Sequence, residues 1–207
     1  MRTGSIGGAL ILACCASLLA AALVAAGGGT VGYGGAGDAP GSLLLDAAIV
    51  FGAAGAWILA IAAPPPLAGR AARLGLGLIA TWLTMAFLTL LVSAGGGSDG
   101  LESIPVLVGL LVGGLAALVG VPLTAVALVR SAGPARLAGG MLLTGLVLVI
   151  AAAIATSSDF STVATVTPTR SLALPMVVAG AVLLLLAVAS VGVLAIRGEA
   201  PRGTLAA

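Results

Sequence analysis

The sequence predicts an all-α integral membrane protein, a bundle of six transmembrane helices joined by short loops. Of its 207 residues, 61% are hydrophobic and only 7% are charged, whereas soluble domains carry about 25% charged residues. Six apolar runs also reach the roughly 20 residues that cross about 30 Å of hydrocarbon. We therefore expect residues 1–207 to form a single transmembrane domain with spans at 6–26, 43–63, 74–94, 104–129, 137–156 and 172–196.

The first apolar run has two interpretations. It follows Arg2 and continues for about 21 residues to a triple glycine, which is long enough to span a bilayer. A cleaved signal peptide is the alternative, because Val24-Ala25-Ala26 would suit a signal peptidase. Cleavage would leave five spans.

The starts of the later spans carry recognisable signals. Ser42, Ser103 and Ser171 directly precede spans two, four and six, and a serine hydroxyl there can accept a hydrogen bond from a free N–H of the first turn. These serines are predicted N-caps. Spans three and five each follow a short turn that contains arginine. Pro122 lies well inside span four and predicts a kink.

The arginines predict the orientation. Only Arg170 falls on one side of the six-span path, and the other seven fall on the opposite side: Arg2, Arg70, Arg73, Arg130, Arg136, Arg197 and Arg202. Cytoplasmic loops of membrane proteins carry the excess of basic residues. Both termini are therefore predicted to be cytoplasmic.

Asp46 is the only acidic residue inside an apolar run. A carboxylate within the membrane suggests a proton relay or a cation site, because burying charge in lipid is costly. The structural alternative is that Asp46 lies near the interface and near a helix N-terminus, where the helix dipole favours a negative charge. We also expect an ion pair between Asp46 and Arg170, the lone arginine on that side.

Small residues predict how the helices pack. Gly109, Gly113 and Gly120 share one face of span four with Thr124, and small residues at this spacing let helices approach closely in lipid. A narrow pore or a docking face for another subunit is the alternative. Thr81, Thr84 and Thr124 are candidate intramembrane polar residues that a transport path would use.

Two further patterns concern spans two to five. The segment 72–81 recurs at 135–144 as Ala-Arg-Leu followed by a matching glycine and threonine, which indicates either a parallel duplication or chance agreement in a biased composition. Trp57 and Trp82 fall near the middle of their spans, away from the interfacial positions usual for tryptophan. We expect them to pack together or to fill a cavity.

Missing residue types exclude many functions. The chain has no His and no Lys, which excludes histidine-ligated haem or zinc and lysine nucleophiles. Its two cysteines are adjacent and form no CxxC motif. No catalytic, cofactor-binding or metal-ligating residues and no cofactor are predicted, and we expect a protein that is not an enzyme.

The remaining composition bounds the partners and the location. The arginines are scattered singly and form no basic stripe, so nucleic acid is not an expected partner. The expected partners are the lipid bilayer, a second copy of the chain or other membrane subunits. Lys and Asn are absent while Ala, Gly, Val, Leu and Arg abound, a bias typical of GC-rich genomes that favours the cytoplasmic membrane of a prokaryote. The sequence thus predicts a non-enzymatic accessory or structural component, with a small-solute or ion transporter or channel subunit as the alternative.

Overall fold

The described part of the chain forms six helices that are long and apolar enough to cross a membrane. A computed structural model describes residues 3–27, 40–64, 67–94, 103–131, 133–157 and 169–198, and within these ranges it contains no strand. The predicted all-helical fold with six helices is confirmed. The helices are α1 (Thr3–Ala26), α2 (Pro40–Ala62), α3 (Arg70–Ala94), α4 (Ser103–Val129), α5 (Pro134–Ser157) and α6 (Thr169–Gly198).

The helices begin before their apolar runs do. Pro40 and Pro134 open α2 and α5, since proline is preorganised for the first helical position and lacks only an N–H that would be free there. The predicted caps Ser42 and Ser171 are therefore wrong: both lie inside helices, because α2 begins at Pro40 and α6 begins at Thr169. Pro122 lies inside α4, which remains one continuous helix from Ser103 to Val129.

The six helices form a closed ring in chain order. The most extensive packing is within the pairs α1–α2, α3–α4 and α5–α6, and the interfaces α2–α3, α4–α5 and α6–α1 join these pairs into the ring. Contacts such as Gly8 with Gly192 and Gly75 with Gly120 join the start of one helix to the later half of its neighbour. Neighbouring helices are therefore antiparallel.

One end of the ring, here called the arginine end, carries five exposed arginines. They lie at the starts of α3 and α5 and just beyond or at the ends of α4 and α6: Arg70, Arg73, Arg130, Arg136 and Arg197. The only acidic residue among the described side chains, Asp46, lies in the half of α2 nearer the opposite end. The charges of the described side chains are thus strongly asymmetric along the ring axis.

The buried core lies towards the arginine end and receives side chains from every helix. Its large members are Ile11, Leu59, Leu67, Leu76, Leu128, Leu142 and Val191. Many apolar side chains face outwards instead, for example Ile61 at 76% and Leu23 at 73% exposed. Such an outer surface is costly in water and is expected of helices surrounded by lipid.

Short turns close the arginine end. After α2, Ala63 takes a positive φ of 41°, and the N–H of Leu67 donates to the Pro64 carbonyl oxygen over 2.6 Å. This turn directs the Leu67 side chain into the core, where it is 1% exposed. After α4, the Ser131 hydroxyl donates to the Leu128 carbonyl oxygen over 2.6 Å.

The two similar sequence segments have the same burial in α3 and α5. Ala72 and Ala135 are 0% and 2% exposed, whereas Leu74 and Leu137 are 65% and 68% exposed. A Cβ atom added to the matching glycine in either segment would have no neighbour within 4 Å. Equivalent residues therefore face the same way on the two helices, and the duplication itself stays a prediction.

Candidate functional site

Three glycines of α4, Gly109, Gly113 and Gly120, face α3 at close range. A Cβ atom added to Gly109 would lie 2.9 Å from the Thr89 hydroxyl oxygen, and one added to Gly113 would lie 2.9 Å from Cδ1 of Trp82. At Gly120 the neighbour is backbone, because the added Cβ atom would lie 2.8 Å from the Gly75 carbonyl oxygen. Real Cβ atoms almost never approach heavy atoms within 3.0 Å, so only glycine permits the backbone contact at Gly120.

The same backbone contact recurs around the ring. A Cβ atom on Gly145 of α5 would lie 2.9 Å from the Gly180 carbonyl oxygen of α6, and the reverse distance is 3.0 Å. On α1, Gly8 meets the Gly192 carbonyl oxygen in the same way, at 2.6 Å. These glycines were not predicted from the sequence. In the sequence, each of these pairs is visible as two glycines at a similar depth in two spans. This pattern indicates a contact only once it is known which spans are neighbours.

The three candidate threonines hydrogen-bond within their own helices. The hydroxyls of Thr81, Thr84 and Thr124 donate to the carbonyl oxygens of Gly77, Ala80 and Gly120 over 2.8, 2.8 and 2.9 Å. Donation to the carbonyl four residues earlier is a common way for a hydroxyl to be satisfied inside an apolar helix.

The surroundings of these threonines differ. Thr124 is 2% exposed, and its hydroxyl packs against Gly75 on α3. Thr81 and Thr84 are half-buried on α3. Thr124 therefore contributes to the α3–α4 contact beside Gly120, while Thr84 belongs to a contact with α2.

The two tryptophans have different partners. The Trp57 indole N–H donates to the Thr84 hydroxyl oxygen over 3.2 Å, from α2 to α3. Trp82 lies against Gly113 of α4. The two residues are 42% and 37% exposed, so they do not fill an internal cavity, and their packing against each other stays a prediction.

Asp46 has an incompletely satisfied carboxylate. Its side chain is half-buried, and its Oδ1 atom is buried with no hydrogen-bond partner. The Arg170 side chain lies outside the described residues, so the Asp46–Arg170 ion pair stays a prediction. A buried carboxylate oxygen without a donor is costly, which makes Asp46 the most unusual polar group among the described residues.

An open groove of about 630 Å³ crosses the outer face of α5. Arg136 lies at its arginine end, Gly140, Met141 and Thr144 form its floor, and Val129 and Leu183 flank it. None of the three candidate threonines lines it. In the sequence, its residues Arg136, Gly140 and Thr144 stood out only as part of the recurring segment.

Within the described ranges, no three His, Cys, Asp or Glu residues lie close enough to hold a metal ion. Cys14 and Cys15 are free thiols, and the Cys15 Sγ atom lies 3.9 Å from the Leu185 carbonyl oxygen.

Comparisons with family models, curated proteins and solved structures find no match to this chain.

Proposed function

We propose that the chain is a non-enzymatic accessory or structural component of a prokaryotic cytoplasmic membrane, with both termini in the cytoplasm. The backbone contacts between glycines carry this proposal. They occur in the pairs α3–α4, α5–α6 and α6–α1, and the Thr124 hydroxyl beside the α3–α4 contact donates within its own helix. The glycines in these contacts thus serve helix packing, in line with how small residues stabilise membrane bundles.

The exposed surface supports insertion in the membrane. Leucine, isoleucine and valine side chains face outwards along every helix, and five of the six arginines in the described ranges lie at one end, with Arg170 at the start of α6 the exception. With that end in the cytoplasm, the arrangement agrees with the excess of basic residues in cytoplasmic loops.

Labelling of single cysteines tests insertion and orientation. In a chain with Cys14→Ala and Cys15→Ala, we introduce Gly69→Cys in the turn before α3 or Gly27→Cys after α1; both sites are exposed. A membrane-impermeant maleimide should label Gly27→Cys in intact cells and Gly69→Cys only in inverted vesicles. The reverse pattern would overturn the orientation, and equal labelling of both sites in intact cells would overturn insertion.

A transporter or channel subunit is the second candidate, favoured by Asp46. Its buried Oδ1 atom lacks a donor, and membrane-embedded carboxylates often belong to ion paths. Liposomes containing the protein provide the test. Under the accessory role, proton and monovalent-cation flux should equal that of empty liposomes. A flux that Asp46→Asn abolishes, and that Thr144→Val on the exposed face of α5 leaves intact, would replace the accessory role with transport.

A further inference from the structure

The groove on α5 combines an arginine at its mouth with an apolar floor. Arg136, Gly140 and Thr144 are spaced four residues apart, so they lie along one face of α5. At 1.5 Å per residue, this face extends about 12 Å from the arginine end towards the middle of the helix. The volume of the groove, about 630 Å³, falls within the range of about 300–1,000 Å³ usual for small-molecule sites.

The floor is open because of Gly140. A Cβ atom added there would have no atom within 4 Å, in contrast to Gly139, whose added Cβ atom would lie 2.7 Å from the Ala125 carbonyl oxygen on α4. Adjacent glycines therefore have different roles. Gly139 permits the contact between α5 and α4, whereas Gly140 leaves a depression on the outer face of α5.

The charge at the mouth has no carboxylate beside it in the described part of the chain. Arg136 is exposed, and the only described acidic residue, Asp46, lies towards the opposite end. Arg136 also lies in the first turn of α5, where the helix dipole favours an anion. The guanidinium is suited to phosphate because it can donate two parallel hydrogen bonds.

We propose that this groove binds one anionic phospholipid. Its phosphate binds Arg136, and an acyl chain lies over Gly140 between Val129 and Leu183. The site rests on the membrane insertion proposed above, which places the arginine end at the cytoplasmic surface. Basic pockets between transmembrane helices on that side are typical sites for anionic lipid headgroups.

Native mass spectrometry of the purified full chain in a neutral detergent tests the site. The probes are phosphatidylglycerol and phosphatidylcholine with identical acyl chains. We expect preferential retention of phosphatidylglycerol, and Arg136→Ala should lower its affinity about fivefold. Gly140→Leu keeps the charge, fills the depression and should lower retention of phosphatidylglycerol. Arg197→Ala is the matched control, since it removes an exposed arginine at the same end that does not line the groove.

Three results would overturn the site. The first is equal retention of the two lipids by the unchanged chain. The second is an equal loss of phosphatidylglycerol affinity in Arg136→Ala and Arg197→Ala. The third is unchanged phosphatidylglycerol retention in Gly140→Leu. Circular dichroism of each variant establishes that it is folded. Flotation of the same preparations with liposomes separates this proposal from the previous one: a chain that floats but does not distinguish the lipids overturns the groove alone, and a chain that does not float overturns membrane insertion as well.

Discussion

Replacing Gly120 by alanine should separate α3 from α4. The new Cβ atom would lie 2.8 Å from the Gly75 carbonyl oxygen and 2.9 Å from Cβ of Leu78, while ordinary contacts begin at 3.4 Å. Neither neighbour is the flexible end of a side chain, so the helices must move apart by about half an ångström. Overpacking of this kind costs about 1–3 kcal/mol.

Gly114→Ala is the matched control for this substitution. It introduces the same methyl group into the same helix, but no atom lies within 4 Å of the new Cβ position. Because alanine favours helix by up to about 1 kcal/mol over glycine, Gly114→Ala should leave stability unchanged or raise it. The expected difference between the two variants is therefore at least about 1 kcal/mol.

Unfolding by dodecyl sulfate in mixed micelles measures this difference, with fluorescence of the two tryptophans as the signal. Gly113→Ala should fall between the two variants, because the exposed Trp82 ring that it meets at 2.9 Å can shift outwards. If Gly120→Ala unfolds at the same denaturant concentration as Gly114→Ala, the backbone contact does not limit the α3–α4 spacing and the reasoning is refuted.

Three further substitutions test other contacts by the same unfolding measurement. Thr124→Val removes the hydroxyl that donates within α4 and should lower stability by about 0.5–1 kcal/mol; a larger loss would mean that this hydroxyl also holds another partner. Trp57→Phe removes the indole bond to Thr84 and should cost about 0.5–1.5 kcal/mol, and a double-mutant cycle with Thr84→Val should then show coupling. Ala63→Gly should raise stability by up to about 1 kcal/mol, because Ala63 ends α2 with a positive φ of 41° that glycine adopts without strain; a loss of stability would contradict that assignment.

The number of helices was predictable because the length and hydrophobicity of a span are set by the thickness of the bilayer. The helix starts were less so. An apolar run marks only the residues that lipid would cover, whereas the helix continues into the flanking residues. Helices α2 and α3, for example, begin at Pro40 and Arg70, before their apolar runs. The apolar run is therefore shorter than the helix that contains it.

The packing partners were not predictable for a different reason. Helices that are apolar almost all round carry no stripe to mark their inner face. Gly113 and Gly114 illustrate this, because the first contacts Trp82 and the second faces open space, although both are glycines in the same apolar segment. The spacing of Gly109, Gly113 and Gly120 indicated a face of α4, but only the ring order identifies α3 as the helix opposite. Asp46 stood out by its charge alone, and its missing donor required coordinates.

The closed ring also constrains how the protein is made. Five of its six interfaces join helices that are consecutive in the chain, and only α6–α1 joins two helices that have four others between them. A nascent chain can assemble α1 to α5 in order of emergence, but Gly8 contacts Gly192 only after α6 has left the ribosome. Until then the face of α1 that contacts α6, here called the seam, stays uncovered. Of the six interfaces, this seam is therefore the last that can close during synthesis, and a chain interrupted before α6 would present it to any chaperone or neighbouring helix that lies beside it.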